Sequence, residues 1–208
     1  MQLKERFSTL CSTIINDQLL IERLWLEIEK KYVEKGRYYH NFEHLKNMFS
    51  ELDKVKDEIK NFQIISFSVF YHDVIYDASS KSNEEKSAQF SEKHLRQLGL
   101  GFEFIERVSD QIMATKFHQE SGDNDTNYLV DADLLILGQE PEKYKDYTQK
   151  VRKEYAIYPD FLYNPGRKKV LEYFLELESI FKTEYFQNKY EQQAKKNIMS
   201  EIDYLNFG

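Results

Sequence analysis

The stretch Phe70-Tyr71-His72-Asp73-Val74-Ile75-Tyr76-Asp77 decides how this chain is read. A helix-length apolar run, Phe62 to Phe70, leads straight into a His–Asp pair. Burying two polar side chains at the end of such a run is costly unless something compensates them. A divalent cation would do so, because a neutral imidazole and a carboxylate are common ligands for Zn, Mn, Fe or Ni. Neighbouring residues of a helix point about 100° apart. Both can therefore touch one ion only if it lies between them and other helices supply the remaining ligands.

Working outward, the pattern is helical almost everywhere. The chain has 208 residues, a size for one domain, and only seven glycines and three prolines. Abundant Glu, Lys, Leu and Gln favour an all-α protein. Thirty-one aromatic residues, 15 Phe, 15 Tyr and one Trp, supply a core in a chain that is 31% charged. The net charge of −7 argues against a long nucleic acid as the partner. A small anionic ligand remains compatible, since a metal and a few cations reverse the field locally. Cys11 is the single cysteine, which leaves no disulfide framework or cysteine-based zinc site and fits a reducing, cytoplasmic location. No signal-peptide hydrophobic region opens the chain, and no apolar run reaches about 18 residues, so no membrane span is expected.

The periodicity predicts helices over Leu3–Asn16, Asp17–Lys35 and, after an Asn41 cap, a stretch with Leu45, Met48, Phe49, Leu52 and Val55 on one face. Phe62 to Tyr76 reads as the central buried helix. Helices are further expected at 83–98, with His94 facing solvent, and at 101–118. A mobile acidic loop is expected at 119–127, then an apolar helix begun by Asp131 and Asp133. Pro141 starts another helix, Asn164-Pro165-Gly166 reads as a turn or cap, and closing helices follow at 167–181 and 184–204.

Collected along the chain, the metal-capable residues are His44, His72, Asp73 and an Asp from the Asp131/Asp133 pair. His44 alone would read as a satisfied core histidine. Two histidines four apart, His40 and His44, upstream of a His–Asp pair, are more specific.

The ordered set H…HD…D resembles the HD superfamily of metal-dependent phosphohydrolases, in the detail of a bacterial branch of predicted phosphohydrolases. The matching pieces are Arg37-Tyr38-Tyr39-His40-Asn41…His44-Leu45, His72 to Asp77, Asn83-Glu84…Ser87-Ala88, Thr115…His118, Asp131-Ala132-Asp133-Leu134…Leu137-Gly138, Arg152…Glu154-Tyr155 and Gly166-Arg167. The resemblance implies an all-α HD-domain helical bundle, with a metal-site core at about 36–140 and C-terminal helices at 141–208 packing on it. It implies His44, His72, Asp73 and Asp133 as ligands of a divalent ion (Mn, Fe, Ni, Zn or Mg). Asp133 is preferred because Ala132-Asp133-Leu134 is similar to the last-ligand motif of cyclic-nucleotide phosphodiesterases. Asp131 is the alternative, or else a helix N-cap.

In the same phosphodiesterases the first histidine of the motif donates a proton, which implies His40 as general acid; otherwise it is a loop histidine bonded to a carboxylate. Alarmone hydrolases carry His-Asp-x-x-Glu-Asp. Here Asp77 matches the second acid, a candidate to orient water, while Tyr76 replaces the first. Glu84 shares that candidacy, or serves its helix dipole. Lys116, Arg37, Arg152 and Arg167 are the cations available to a phosphate, and Tyr155 could stack on a base. His118 is a candidate for a second metal or a substrate contact. The implied reaction is hydrolysis of a phosphate ester or anhydride in a nucleotide or related small metabolite, with a homodimer left open. The rival readings are a diiron oxygenase of the same fold and a non-catalytic, metal-stabilised binding domain.

Overall fold

The apolar run at Phe62 forms the helix around which the others pack. In the computed structural model, which describes residues 2–207, every residue from Ile64 to Tyr71 of that helix is buried. The described residues are helical with no strand. In chain order the helices are α1 (Leu3–Ser12), α2 (Gln18–Tyr32), α3 (Phe42–Leu52), α4 (Phe62–Tyr71), α5 (Asn83–Gln97), α6 (Phe102–Ala114), α7 (Asn124–Leu134), α8 (Pro141–Glu154), α9 (Asp160–Glu176), the short α10 (Glu184–Phe186) and α11 (Gln192–Phe207). A π-helical segment, Gln187–Glu191, joins the last two, and a 3₁₀ turn, Leu135–Gly138, follows α7.

Helix α4 touches α3, α5, α6 and α7. One continuous core runs from Leu3 to Ile198. Each fully buried side chain of α4, Phe67 and Phe70 among them, contributes about 1.5–3 kcal/mol by leaving water. The two serines of the helix are reconciled with burial by hydrogen bonds. Ser66 donates to the Phe62 carbonyl, and Ser68 to the Ile64 carbonyl and to Gln111 Oε1 at 2.7 Å.

Several boundaries differ from the sequence reading, each for a visible reason. Helix α4 stops at Tyr71 instead of continuing to Tyr76. Arg37 takes the carbonyls that a longer helix would use, donating to Asp73 O at 2.7 Å, Val74 O at 2.9 Å and His40 O at 3.0 Å. A guanidinium thus satisfies orphan acceptors at a helix end. Of the segment 119–127 expected as a mobile acidic loop, residues 119–123 are non-helical and the rest is the start of α7. Buried Asp125 accepts the Lys60 and Asn61 backbone N–H groups at 2.8 Å and anchors the start of α4. Helix α9 runs through Asn164-Pro165-Gly166 with Pro165 inside it. Proline there removes one backbone hydrogen bond. Buried Tyr163, Leu171 and Phe174, and the Arg167–Glu201 pair to α11, hold the helix on both sides of the gap.

Helix α5 corrects a side-chain assignment. His94, expected to face solvent, is fully buried; its Nδ1 lies 3.2 Å from the Tyr71 hydroxyl and its Nε2 3.0 Å from Glu27 Oε2. Charged neighbours Glu92, Lys93 and Arg96 disguised it, although Ser87, Ser91, His94 and Leu95 share the buried stripe.

Candidate metal centre

His44 lies on α3, one turn before the buried Met48, and is itself buried. His72 caps the C-terminus of α4, Asp73 follows in the turn, and Asp133 is the penultimate residue of α7. Three segments therefore deliver four side chains to one point. The Nε2 atoms of His44 and His72 are 3.1 Å apart. Asp133 Oδ1 is 3.0 Å from His44 Nε2 and 3.5 Å from His72 Nε2. Asp73 Oδ2 is 3.2 Å from His72 Nε2 and 3.9 Å from His44 Nε2. One ligand atom from each of the four falls within 4.8 Å of the others.

The donor set fits a divalent ion. Four atoms about 2.1 Å from a tetrahedral ion would be separated by about 3.4 Å, and the four distances between imidazole nitrogens and carboxylate oxygens bracket that value. His72 Nδ1 lies 3.0 Å from the Val69 carbonyl, which can only accept, so Nδ1 carries the proton and Nε2 turns a lone pair to the centre. With no ion present, burial opposes a charge on His72, but Asp73 and Asp133 outweigh it and favour a proton on the ring, in the place a cation would take. Burial likewise opposes charge on Asp133, and the three imidazoles of His118, His44 and His72 hold its carboxyl well below the usual range. Side-chain exposures of 18% for Asp73, 15% for Asp133 and 22% for His40 leave the cluster open to small molecules.

Asp131, the alternative ligand, is elsewhere. It is buried and accepts from Lys182 N at 2.7 Å, Thr183 N at 2.8 Å and Thr183 Oγ1 at 2.7 Å, tying the chain ahead of α10 to α7. His118 joins the cluster's edge, with Nε2 3.0 Å from Asp133 Oδ2, the oxygen that faces away from His44. It does so with φ of 50°, a left-handed backbone uncommon outside glycine. His40 is next to the cluster, its ring centroid 6.1 Å from that of His44.

The remaining candidates are dispersed. Asp77 is exposed and its Oδ1 accepts from Ser79 N at 2.8 Å and Ser79 Oγ at 2.7 Å. Because α4 ends at Tyr71, Asp77 is not one helical turn beyond Asp73, and the geometric premise for its role is corrected. Glu84 is half-buried in the first turn of α5. The cations are engaged within the protein: Arg37 as above, Lys116 with Glu85 and the Lys81 carbonyl, Arg152 with Asp160 and two carbonyls, and Arg167 with Glu201 and the Tyr147 hydroxyl. Tyr155 packs 5.9 Å from Tyr163.

Sequence reasoning quoted Glu154 within a match but gave it no role. It is buried at the end of α8, in contact with His40. A signal existed: Tyr144, Tyr147, Val151 and Glu154 form one buried stripe, so an acid stands where an apolar residue is due. Beside the cluster, Tyr39, His44 and Tyr147 line a groove of about 1010 Å³ that also presents Asn47, Lys54 and Lys150. Compared with protein-family models, with curated proteins and with solved structures, the chain matches none.

Proposed function

We propose that this protein is a metal-dependent phosphohydrolase acting on a phosphate ester or anhydride of a nucleotide or similar small metabolite. The observation that carries the reading is the convergence of two imidazole Nε2 atoms and two carboxylates at a point that stays partly open to solvent. Four protein ligands fill a tetrahedral shell, so the free position that catalysis needs requires a five- or six-coordinate ion at this site. Once bound, the ion supplies Lewis acidity at phosphoryl oxygens and ionises water near neutral pH. His44, His72, Asp73 and Asp133 hold it. His40 supplies a proton to the departing oxygen. The groove beginning at Tyr39 takes the body of the substrate, with Tyr147 offering an aromatic edge; its lysines Lys54 and Lys150 are paired with Glu51 and Asp146.

Metal analysis of the purified protein, followed by a panel of phosphoesters and anhydrides, tests this. The expected result is one divalent ion per chain and turnover that chelation abolishes. His40→Ala is expected to keep the metal and lose roughly 10²–10⁴-fold in kcat, the usual contribution of a general acid. A fully loaded protein inert across the panel would overturn the reading in favour of a metal-stabilised binding domain. His118 on the outer oxygen of Asp133 favours one second reading, a dinuclear centre of the diiron oxygenase type. Two irons per chain with oxygen uptake would mark it.

A further inference from the structure

Helix α8 sets one phenol in the wall of the groove and backs it with a buried ion pair. Tyr147 lines the groove beside Tyr39 and His44, whereas Arg167 and Glu201 lie behind it, outside the lining. Arg167 Nη1 donates to the Tyr147 hydroxyl at 3.2 Å, and the guanidinium carbon is 5.2 Å from the centre of the Tyr147 ring. The rest of the guanidinium forks onto Glu201, Nε to Oε1 at 2.8 Å and Nη2 to Oε2 at 3.0 Å, and Tyr144 donates to the same carboxylate. The two charged side chains are only 9% and 8% exposed. Two parallel bonds fix the plane of a guanidinium as well as its place.

A phenol has one proton to give and lone pairs to accept with. Arg167 can only donate, so it takes a lone pair and the Tyr147 O–H turns away from it. Among the described residues no group accepts that proton; the contact with Arg167 is the hydrogen bond this hydroxyl makes. With Arg167 behind the wall, the side left to the proton is the groove side. Burial raises the phenol above its ordinary value while Arg167 works against the rise, so the hydroxyl keeps its proton near neutral pH. The ring is held as well. It meets Tyr39 edge-on with centroids 4.6 Å apart and planes at 71°, and Tyr39 lies 5.1 Å from the ring of His44. One aromatic ring thus separates Tyr147 from a side chain of the metal centre. In the same groove Lys54 and Lys189 are paired with Glu51, and Lys150 with Asp146. An O–H polarised by a buried cation suits an anionic acceptor, because hydrogen bonds to charged partners are the stronger kind.

We propose that Tyr147 binds the substrate, its hydroxyl donating to an anionic oxygen of the phosphate, with Arg167 as the positioning residue that turns the O–H into the groove. This rests on the phosphohydrolase reading given above and adds a substrate contact to it. Arg167, the cation that sequence singled out for phosphate, then acts through Tyr147 instead of touching the ligand.

The test is calorimetric titration of the Mn²⁺-loaded protein with inorganic phosphate. Tyr147→Phe keeps the ring against Tyr39 and removes only the hydroxyl. It is expected to retain its Mn²⁺ and to bind phosphate roughly 10–100-fold more weakly, the usual worth of a hydrogen bond to a charged group. Unchanged phosphate affinity overturns the proposal, and so does a loss that comes with lost Mn²⁺, which would make Tyr147 a support of the metal centre. Arg167→Lys keeps the charge but not the fork, and a smaller loss is expected. Combined with Tyr147→Phe it is expected to add nothing further, because the hydroxyl it orients is already gone. Losses that add in full overturn the positioning role. Should Tyr147→Phe not fold, Arg167→Lys decides alone, and phosphate affinity equal to wild type overturns the proposal. Wild-type protein that holds Mn²⁺ yet binds phosphate no better than the chelator-stripped protein overturns the phosphohydrolase reading and this contact with it. A wild type that binds phosphate in a metal-dependent way, matched by Tyr147→Phe, overturns the contact alone.

Discussion

Two aspartates two positions apart illustrate how position alone separates roles. Asp131 and Asp133 stand in one helix, yet a helix turns by about 200° over two residues, so they face opposite ways. Asp133 meets three imidazoles; Asp131 meets the backbone and hydroxyl of Thr183. Asp133→Asn is therefore expected to abolish metal binding. Asp131→Asn is expected to leave metal stoichiometry unchanged and to lower stability by about 1–3 kcal/mol, the range for disrupting a buried hydrogen-bonded group. Parallel metal analysis and urea denaturation of the two variants checks both outcomes. The choice between these residues was not legible in their spacing, because either can begin the apolar stretch that follows.

At the scale of elements, the turn after α7 packs closely on the π-helical segment that leads into α11. A Cβ built on Gly138 would lie 2.5 Å from Tyr190 Cβ, 2.7 Å from the Tyr190 carbonyl oxygen and 2.9 Å from its Cα. Backbone atoms cannot swing aside, so Gly138→Ala is expected to cost about 1–3 kcal/mol as overpacking does elsewhere. Thermal melting would show it, and an unchanged melting temperature would mean that the π-helical segment shifts freely. Glu51 ties that same segment to α3. Burial would raise its carboxyl, but hydrogen bonds from Lys189, Lys54 and Tyr185 prevail and hold it at about 2 against an ordinary 4.5. A carboxyl depressed by folding stabilises above its unfolded pKa, and that contribution fades as pH falls from about 4.5 toward 2. Both lysines are largely exposed, so screening keeps the effect to about 1 kcal/mol. Melting curves should show the wild type losing more stability than Glu51→Gln across that window, and parallel losses would refute the link.

For the whole molecule, an ion at the junction of α3, α4 and α7 couples binding to folding. Anything bound only by the folded state stabilises it, by about 2.7 kcal/mol at a free concentration 100 times Kd. For a chain of this size that corresponds to a rise in Tm of roughly 5–11 °C. Stripping the protein with a chelator and restoring Zn²⁺ or Mn²⁺ is expected to lower and then recover Tm by that amount. The His72→Ala variant should melt at one temperature with or without metal. A wild-type Tm indifferent to both treatments would count against the centre. Among the described residues no helix is long and apolar enough to cross a membrane, so the burial of α4 is within the protein.

The sequence by itself determined the helical class, the buried helix at Phe62 and the identity of His44, His72 and Asp73 as residues able to meet, because periodicity and residue chemistry are local properties. Even Asp133 was reached there by likeness of motif. What only the tertiary structure decided lies in contacts between distant segments. Arg37 takes the Asp73 and Val74 carbonyls, just past the end of α4 and 36 and 37 residues away, which leaves Asp77 outside the helical register and occupies a cation that had seemed available for phosphate. Glu154 reaches His40 across 114 residues. Arg167 is committed to Glu201, and His94 to Tyr71 and Glu27. A charged or polar side chain has no periodicity that names its partner. Which one it finds is settled when the helices pack and desolvation makes each buried group take the nearest complement.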